Sequence, residues 1–455
     1  MTLLAEVKKL SAEKQEIFER MSVPRAVATL AIPTIISQIV ITIYNLADTF
    51  FIGQMKDPYM VAAISLLYPW VHLQVAIANF FGVGTSSLIS RMLGSKRHDE
   101  VKGASSFCLF SALCATAVFS LITAIIMKPL LTVLGASPET MPHAVEYTVW
   151  VVVIGSVPTV LQLTLAHLLR SEGHTKKASF GMMLGGILNM ALDPIFIFGF
   201  GLNVAGAAIA TMLSNAASAA YFFWQFYRLR GETTISFRPR DYTRRYAGEI
   251  FSVGITSALN SILTSTTTMI IVRLSAAYGD VAIAAYGIVK KINTFTFNLS
   301  FGLCQGVTPL IGYNYAAKNY KRLQAVTTFT WRISIFFSLA CIATYILFAH
   351  QILFFFIPEP ETAALGASLL RISCFSVLMN SINTLVTYAL QAMGRGKQSR
   401  RLALLRHAIL NIPLLFVLNH FFGVYGVNGA RLCAELMAMP VFLLTYRKTL
   451  QDAPK

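Results

Sequence analysis

Long apolar stretches run through the whole chain, and they constrain its fold more than any other feature. A helix needs roughly 20 residues to cross a bilayer, and twelve stretches in the 455 residues reach that length. The predicted spans are 26–52, 59–90, 102–127, 139–169, 177–200, 204–228, 247–274, 281–313, 324–350, 363–392, 402–421 and 424–446. In lipid, only helices and closed barrels satisfy every backbone hydrogen bond. Spans of this length therefore predict an all-α integral membrane protein with twelve transmembrane helices.

The composition excludes a soluble protein and a disordered one. Hydrophobic residues make up 55% of the chain and charged residues 13%, against about 25% charged in soluble domains. The net charge of +17 could indicate nucleic-acid binding, but the basic residues lie in short loops between apolar stretches rather than in a patch. We therefore expect no nucleic-acid partner.

The charges of the loops give the predicted topology. Loops after odd-numbered spans contain few cations, whereas loops after even-numbered spans contain many. Examples after the second, fourth and sixth spans are Arg91, Lys96, Arg97, Lys102, Arg170, Lys176, Lys177, Arg228, Arg230, Arg238 and Arg240. Because loops rich in Lys and Arg stay in the cytoplasm, both termini are predicted to be cytoplasmic.

The chain also contains an internal repeat. Residues 84–94 (GTSSLISRMLG) resemble residues 306–316 (GVTPLIGYNYA), and VAGAAIA at 204–210 resembles VNGARLC at 427–433. The offsets are nearly equal, which indicates a duplication of six helices. Because six is even, the repeats should be parallel, with a pseudo-two-fold axis along the membrane normal. Such twinned bundles are typical of transporters.

The repeat and the flanking segments together predict five regions. Residues 1–25 form a cytoplasmic amphipathic segment, in which Leu3, Leu4, Val7 and Leu10 have helical spacing; a solvated tail is the alternative. The others are an N-lobe of helices 1–6 at 26–229, a basic cytoplasmic linker at 230–246, a C-lobe of helices 7–12 at 247–448 and a cytoplasmic tail at 449–455.

Acidic residues deep inside the spans are candidates for function, because a mid-membrane carboxylate is costly unless it is paired, hydrated or protonated. Asp193 lies four residues after Asn189, so both share one face of the fifth helix. The first helix carries Asp48, and the sixth carries the Thr211 hydroxyl. Such oxygen ligands suit a hard cation. These residues predict a Na⁺ or H⁺ site, with a structural polar network as the alternative.

Further polar residues accompany this set in the first helix. Gln38, Tyr44 and Asn45 lie near the face of Asp48 and are candidates to line a cavity. Pro33 removes a backbone hydrogen bond, so it marks either a bending point or a static kink.

The second half lacks these acids. The positions 222 residues after Asp48 and Asp193 are Ile270 and Leu415, so any cation site should lie in the first half. Glu435 with Arg431 predicts an ion pair within one helix, or else a contact with substrate. Basic residues in the spans, such as Lys290, either extend toward the membrane surface or line an aqueous cavity.

Sequence motifs for catalysis or ATP use are lacking. The chain contains no GxxxxGK[ST], HExxH or GxSxG pattern, each of which has a defined chemical role. We therefore expect no enzyme activity and no cofactor.

Several segments together resemble the multidrug and toxic compound extrusion (MATE) family, and they cover nearly the whole chain. They are NLADTFFIGQ (45–54), GVGTSSLISRMLGSK (82–96), LRSEGHTKK (169–177), NMALDPIFIFGFGLNVAGAAIAT (189–211), AYGIVKKI (285–292) and GVTPLIGYNYAAKNYKR (306–322). The resemblance implies two six-helix lobes that export drugs or toxic metabolites, often cationic and amphipathic, in exchange for H⁺ or Na⁺. A monomer in the bacterial inner membrane is expected.

The resemblance also implies roles for individual residues. Asp48, Asn189, Asp193 and Thr211 match the family's cation-coupling residues, and Pro33 matches a proline associated with bending of the first helix. Some members carry an acid in the seventh helix, where this chain reads SALNSILTSTTT (257–268). That departure favours a mechanism based on the first lobe.

Two alternatives to drug export remain at this stage. One is a flippase of the same wider superfamily that moves a lipid-linked precursor, although such proteins tend to need a strongly cationic central cavity. The other is a passive pore or a non-transporting scaffold, against which the buried acids argue.

Overall fold

The computed structural model describes residues 16–55, 57–356 and 359–452. All regular secondary structure in these ranges is helical. Ten of the spans, labelled α1–α10 in chain order, have simple bounds. They are α1 Val23–Gln54, α2 Pro58–Gly94, α3 His98–Leu134, α4 Met141–Thr148 continued by Ser156–Ser171, α5 Thr175–Pro194, α6 Asn203–Arg228, α7 Ala247–Ala276, α8 Asp280–Ala316, α9 Tyr320–Phe356 and α10 Pro360–Ala392.

The last two spans follow one another with little interruption. The helix Ile412–Gln451 breaks at Gly423, where φ is +57°, a backbone conformation that glycine adopts at little cost. We label as α11 the segments Gly396–Leu404 and Leu405–Asn411 together with Ile412–Gln451 up to this break. The remainder, after Gly423, is α12.

All twelve predicted spans coincide with helices in the part of the chain that the structure describes, and the prediction of an all-α membrane protein is confirmed. By length and composition, eight of these helices could cross a membrane, or nine if the bent α4 is one span. The count is below twelve partly because α11 and α12 form one continuous helical stretch, Gly396–Gln451, which counts once. The other two spans that this count leaves out are α6 and α8, whose apolar stretches are interrupted by polar side chains.

Three spans contain π-helical turns. Val149–Ile154 lies inside α4, which bends by 44° there. Ile195–Gly199 extends α5 directly after Pro194, whose missing N–H disturbs the regular hydrogen-bond ladder. Leu405–Asn411 lies within α11. π-Bulges often accompany functional positions, and the last two adjoin or contain buried charged residues described below.

The described residues divide into two compact units. Unit 1 contains residues up to Met21 and Ile36–Ala258, and unit 2 contains Ser22–Ile35 and the residues from Leu259 onward. Each unit therefore consists mainly of one half of the repeat, but it also includes the start of the other half's first helix. The six-helix lobes, defined by helix membership, stay a prediction that these units do not test.

Glycines permit this exchange of helix starts. In unit 2, the Thr34 hydroxyl of α1 donates a hydrogen bond to the Gly302 carbonyl of α8 at 2.8 Å. A Cβ on Gly306, one turn later, would lie 2.6 Å from the Ala31 Cα. In unit 1, Gly84 of α2 lies directly against the Ile250 carbonyl at the start of α7. The two positions that the sequence repeat pairs, Gly84 and Gly306, therefore have the same packing role.

The segment between the two halves packs on unit 1. The Glu172 side chain is fully buried and accepts hydrogen bonds from Thr233 Oγ at 2.7 Å and from the Thr234 amide at 2.8 Å. The Ser106 hydroxyl donates to the Arg238 carbonyl at 2.9 Å. The predicted linker 230–246 is therefore held by specific contacts.

The predicted N-terminal helix lies largely outside the described residues, including Leu3, Leu4, Val7 and Leu10. Its last part, Glu16–Arg20, forms a π-helical turn. Phe18 there is 3% exposed and packs against Gly173. This turn is therefore packed against unit 1.

Candidate functional site

Two carboxyl groups meet inside unit 1. The side chains of Asp48 on α1 and Asp193 on α5 lie close together and interact electrostatically. Asp193 is fully buried, and its Oδ1 accepts a hydrogen bond from Asn189 Nδ2 at 3.2 Å. Its Oδ2 is also buried and has no hydrogen-bond partner of good geometry in the described part of the chain. Two ionised carboxylates this close repel each other and have no proton to donate, and a shared proton or a bound cation would remove that repulsion.

An amide and a hydroxyl complete the set. Asn189 Nδ2 lies 3.4 Å from Thr211 Oγ on α6, and the Thr211 hydroxyl donates to the Ala207 carbonyl at 3.0 Å. The four residues singled out in the sequence, Asp48, Asn189, Asp193 and Thr211, therefore form one cluster. We call it the carboxyl cluster. The assembly follows from helical spacing in α5 and from the close approach of α1 and α6.

Small residues on α5 allow that approach. A Cβ on Gly186 would come within 2.9 Å of the Tyr44 ring, so the ring rests directly on the α5 backbone. On the side of α6, the Ser218 hydroxyl donates to the Gly181 carbonyl at 2.8 Å. These contacts hold α1 and α6 on either side of α5.

The first helix contributes unequally to the cluster. Tyr44 lies one turn before Asp48 and interacts electrostatically with both carboxyl groups. Gln38 is 8% exposed, and its position ten residues before Asp48 puts it about 15 Å away along the helix. Asn45 is exposed. Of the three predicted cavity residues, the structure therefore brings Tyr44 to the cluster.

Sequence reasoning missed a second tyrosine. Tyr147 of α4 also interacts electrostatically with Asp48 and Asp193. It is one of 17 tyrosines, and nothing in its spacing connects it to α1 or α5. Only the bend of α4 and its packing in unit 1 bring it there.

A further polar chain links α4 and α6. Gln162 Nε2 donates to Asn215 Oδ1 at 2.6 Å, and Asn215 Nδ2 donates to Thr159 Oγ at 2.9 Å. These three side chains pair their hydrogen-bonding groups with one another, which indicates a structural role. The carboxyl cluster differs because its charges are not balanced.

The cluster's chemistry is that of oxygen ligands. No group of three or more His, Cys, Asp or Glu side chains that could hold a metal occurs in the described residues. Two carboxyl groups with amide and hydroxyl neighbours suit a proton or a hard cation such as Na⁺ rather than a transition metal.

The equivalent positions of the second half are apolar. Leu415 is fully buried in a hydrophobic cluster with Ile271 and Val427, against which Ile270 packs. These side chains supply neither charge nor oxygen. A copy of the carboxyl cluster is therefore not built at the repeat-equivalent positions.

The acid of α12 has a different environment. The predicted pair of Arg431 with Glu435 is present at 4.0 Å, but the main partner is Arg406 of α11, which donates from Nε to Oε1 at 2.9 Å and also from Nη2. Asn383 donates to the other oxygen, Oε2, at 2.8 Å. Both carboxylate oxygens of Glu435 therefore already accept hydrogen bonds within the protein. Arg406 was missed because it lies 29 residues away and on another helix.

A helical, multi-pass fold with a carboxyl cluster between its helices is typical of membrane transporters that bind ions. The MatE family model matches residues 33–195 and 256–417, one match in each half of the repeat. The chain therefore belongs to the MatE family of membrane transporters, and it is not an enzyme.

Individual relatives agree over nearly the full length. The chain is 32% identical over 435 residues to the multidrug export protein MepA of Staphylococcus aureus strain MSSA476, which covers 95% of this chain and 96% of that protein. It has the same identity and coverage with MepA of Staphylococcus saprophyticus. A crystal structure of a MATE in complex with MaL6 matches with a TM-score of 0.91, at 25% identity, over 97% of this chain and 98% of that one.

Proposed function

We propose that the protein is a secondary active multidrug efflux antiporter. It exports amphipathic, often cationic compounds in exchange for H⁺ or Na⁺, and it uses no other cofactor. The names of its relatives, multidrug export proteins, support the substrate class. The carboxyl cluster supports the ion coupling, and it is the observation that carries the proposal.

Binding of the ion takes place at Asp48 and Asp193. A proton is shared between the two carboxyl groups, or a Na⁺ ion is bound by their oxygens with help from Asn189 and Thr211. Either ion removes the like-charge repulsion between the two carboxyl groups. The cluster then has a different net charge before and after ion binding, which is the property that coupling requires.

The ion and the substrate oppose each other. Ion uptake at the cluster reshapes α1 and favours substrate release outside. Release of the ion to the cytoplasm then allows the next substrate to bind. By linkage, the substrate must weaken ion binding as much as the ion weakens substrate binding.

Pro33 provides the bending point of α1 in this scheme. It lies inside an otherwise continuous helix. The part of α1 up to Ile35 belongs to unit 2, and the part from Ile36 onward belongs to unit 1. The segment that carries Asp48 is thus packed separately from the segment before Pro33.

We further propose a multi-pass monomer in the bacterial inner membrane, without a nucleic-acid partner and with both termini cytoplasmic. The alternation of basic loops supports this orientation. The internal repeat supports two six-helix lobes, 26–229 and 247–448, joined by the basic linker.

Dye efflux from energised cells tests the function. Cells producing wild type, Asp48→Asn or Asp193→Asn are loaded with ethidium, and the proton and sodium gradients are collapsed separately. We expect wild-type export to need one of the two gradients, which identifies the ion, and both variants to lose export at normal membrane levels. Asp99→Asn, an exposed acid in the first turn of α3, is the matched control and should export normally.

Two results would contradict the proposal. Export that continues with both gradients collapsed would indicate a passive pore. Failure of the wild type to export any of several dyes would favour the flippase alternative.

A further inference from the structure

The second half of the chain contains more cations than acids inside its spans. From residue 247 onward the chain has six acidic residues, and five of them lie at or near helix ends or in loops: Glu249, Asp280, Glu359, Glu361 and Asp452. Glu435 is the exception. Arg406 and Arg431 lie beside Glu435, and Lys290 interacts electrostatically with Arg431, so three positive charges share one negative charge.

The one carboxylate does not satisfy all three cations. Both oxygens of Glu435 are already used by Arg406 and Asn383. Arg431 reaches Glu435 only at 4.0 Å, and its Nη2 lies 3.3 Å from Asn380 Oδ1, an oxygen that also accepts from Arg406. Arg431 therefore shares partners that another arginine holds more closely.

The two arginines also differ in exposure. The Arg406 side chain is 8% exposed, whereas the Arg431 side chain is 43% exposed. Arg406 is thus a structural partner of Glu435, whereas much of the Arg431 side chain remains exposed.

Arg431 lies in the interior of unit 2 rather than at a helix end. It is eight residues after the break at Gly423, about 12 Å along α12. Lys290 and Tyr286 of α8 interact with it electrostatically, and its other contacts come from α10 and α11. Side chains of α8, α10 and α11 therefore lie around Arg431, while much of its own side chain stays exposed.

We propose that Arg431 and Lys290 form an anion subsite that binds the carboxylate of a zwitterionic, amphipathic substrate. A guanidinium binds a planar carboxylate through two parallel hydrogen bonds, and Lys290 adds a second charge. The one nearby carboxylate is held more closely by Arg406, and incompletely compensated cations are costly inside a membrane protein; a ligand carboxylate reduces that cost. The aromatic ring of Tyr286 suits the apolar body of such a compound. This inference rests on the proposed drug export and extends its substrate range beyond cations.

A matched pair of dyes tests the subsite. Rhodamine 110 carries a free carboxylic acid, and rhodamine 123 is its methyl ester. Both are titrated by fluorescence anisotropy against the purified full-length protein in detergent. We expect Arg431→Gln to weaken rhodamine 110 binding by about tenfold or more, the size of a charge-assisted hydrogen bond, and to leave rhodamine 123 binding unchanged.

Two further variants separate the subsite from general effects of charge. Lys290→Gln should weaken rhodamine 110 selectively. Lys291→Gln, at the exposed neighbouring position of α8, should change neither dye, and Arg431→Lys should retain part of the selectivity. All variants should keep the thermal unfolding midpoint of the wild type, because Glu435 retains Arg406.

The outcomes decide the proposal in both directions. An equal loss for both dyes in Arg431→Gln, an unchanged affinity for rhodamine 110, or no rhodamine 110 binding by wild type would overturn it. If a phosphate-bearing lipid, but no carboxylate compound, displaces the bound dye in a way that depends on Arg431, the carboxylate assignment is wrong. Because binding needs no ion gradient, loss of ion coupling leaves this test intact, so the two proposals fail separately.

Discussion

At the scale of single residues, two buried acids in similar membrane helices have opposite surroundings. Asp193 faces another acid and has a buried oxygen without a partner in the described structure. Glu435 is bound by Arg406 and Asn383. The first environment lacks a positively charged neighbour that balances its acids, whereas the second contains one. This difference is why we place ion exchange at Asp193 and a structural role at Glu435.

The structural role predicts a large loss of stability in Glu435→Ala. Removing one partner of a buried ion pair leaves the other charge uncompensated, at a cost of about 3–5 kcal/mol. The midpoint of thermal unfolding in detergent should therefore fall strongly in Glu435→Ala and much less in the double variant Glu435→Leu with Arg406→Met. Glu361→Ala, at an exposed position in the first turn of α10, is the control. Equal midpoints for Glu435→Ala and the double variant would refute this interpretation.

At the scale of elements, the start of α1 belongs to unit 2 and the start of α7 belongs to unit 1, so each packs with the other half of the chain. Each packs against a helix of the other half at a repeat-related glycine, α1 against Gly306 and α7 against Gly84. In α8, Gly302 and Gly306 form a GxxxG pattern, which lets helix backbones approach closely in membranes. The absence of side chains at these positions is what allows α1 to begin in unit 2.

This packing predicts opposite effects for two glycines of α8. Alanine normally stabilises a helix interior by about 1 kcal/mol relative to glycine. Gly287→Ala should follow that rule, because a Cβ there meets nothing within 4 Å. Gly306→Ala should instead lower the thermal unfolding midpoint, because its Cβ would lie 2.6 Å from both Ala31 Cα and Thr34 Oγ. Similar midpoints for the two variants would show that α1 does not pack closely at Gly306.

At the scale of the whole molecule, the sequence predicts the spans well and the tertiary partners less well. Span positions follow from hydropathy and from the alternation of basic loops, both of which are local. The clustering of Asp48 with Asp193 could be predicted because mid-membrane acids are rare. Tyr147 and Arg406 could not, because their partners depend on the bend in α4 and on contacts between helices far apart in sequence.

The central claim is that one ion and the substrate compete through the carboxyl cluster, and purified protein tests it directly. Ethidium affinity is measured by fluorescence across Na⁺ concentrations at fixed pH, and across pH without Na⁺. We predict that one of the two ions weakens ethidium binding to the wild type progressively, and that Asp48→Asn abolishes this dependence while still binding the dye. If the wild type binds ethidium with the same affinity at every Na⁺ concentration and every pH, the account is contradicted.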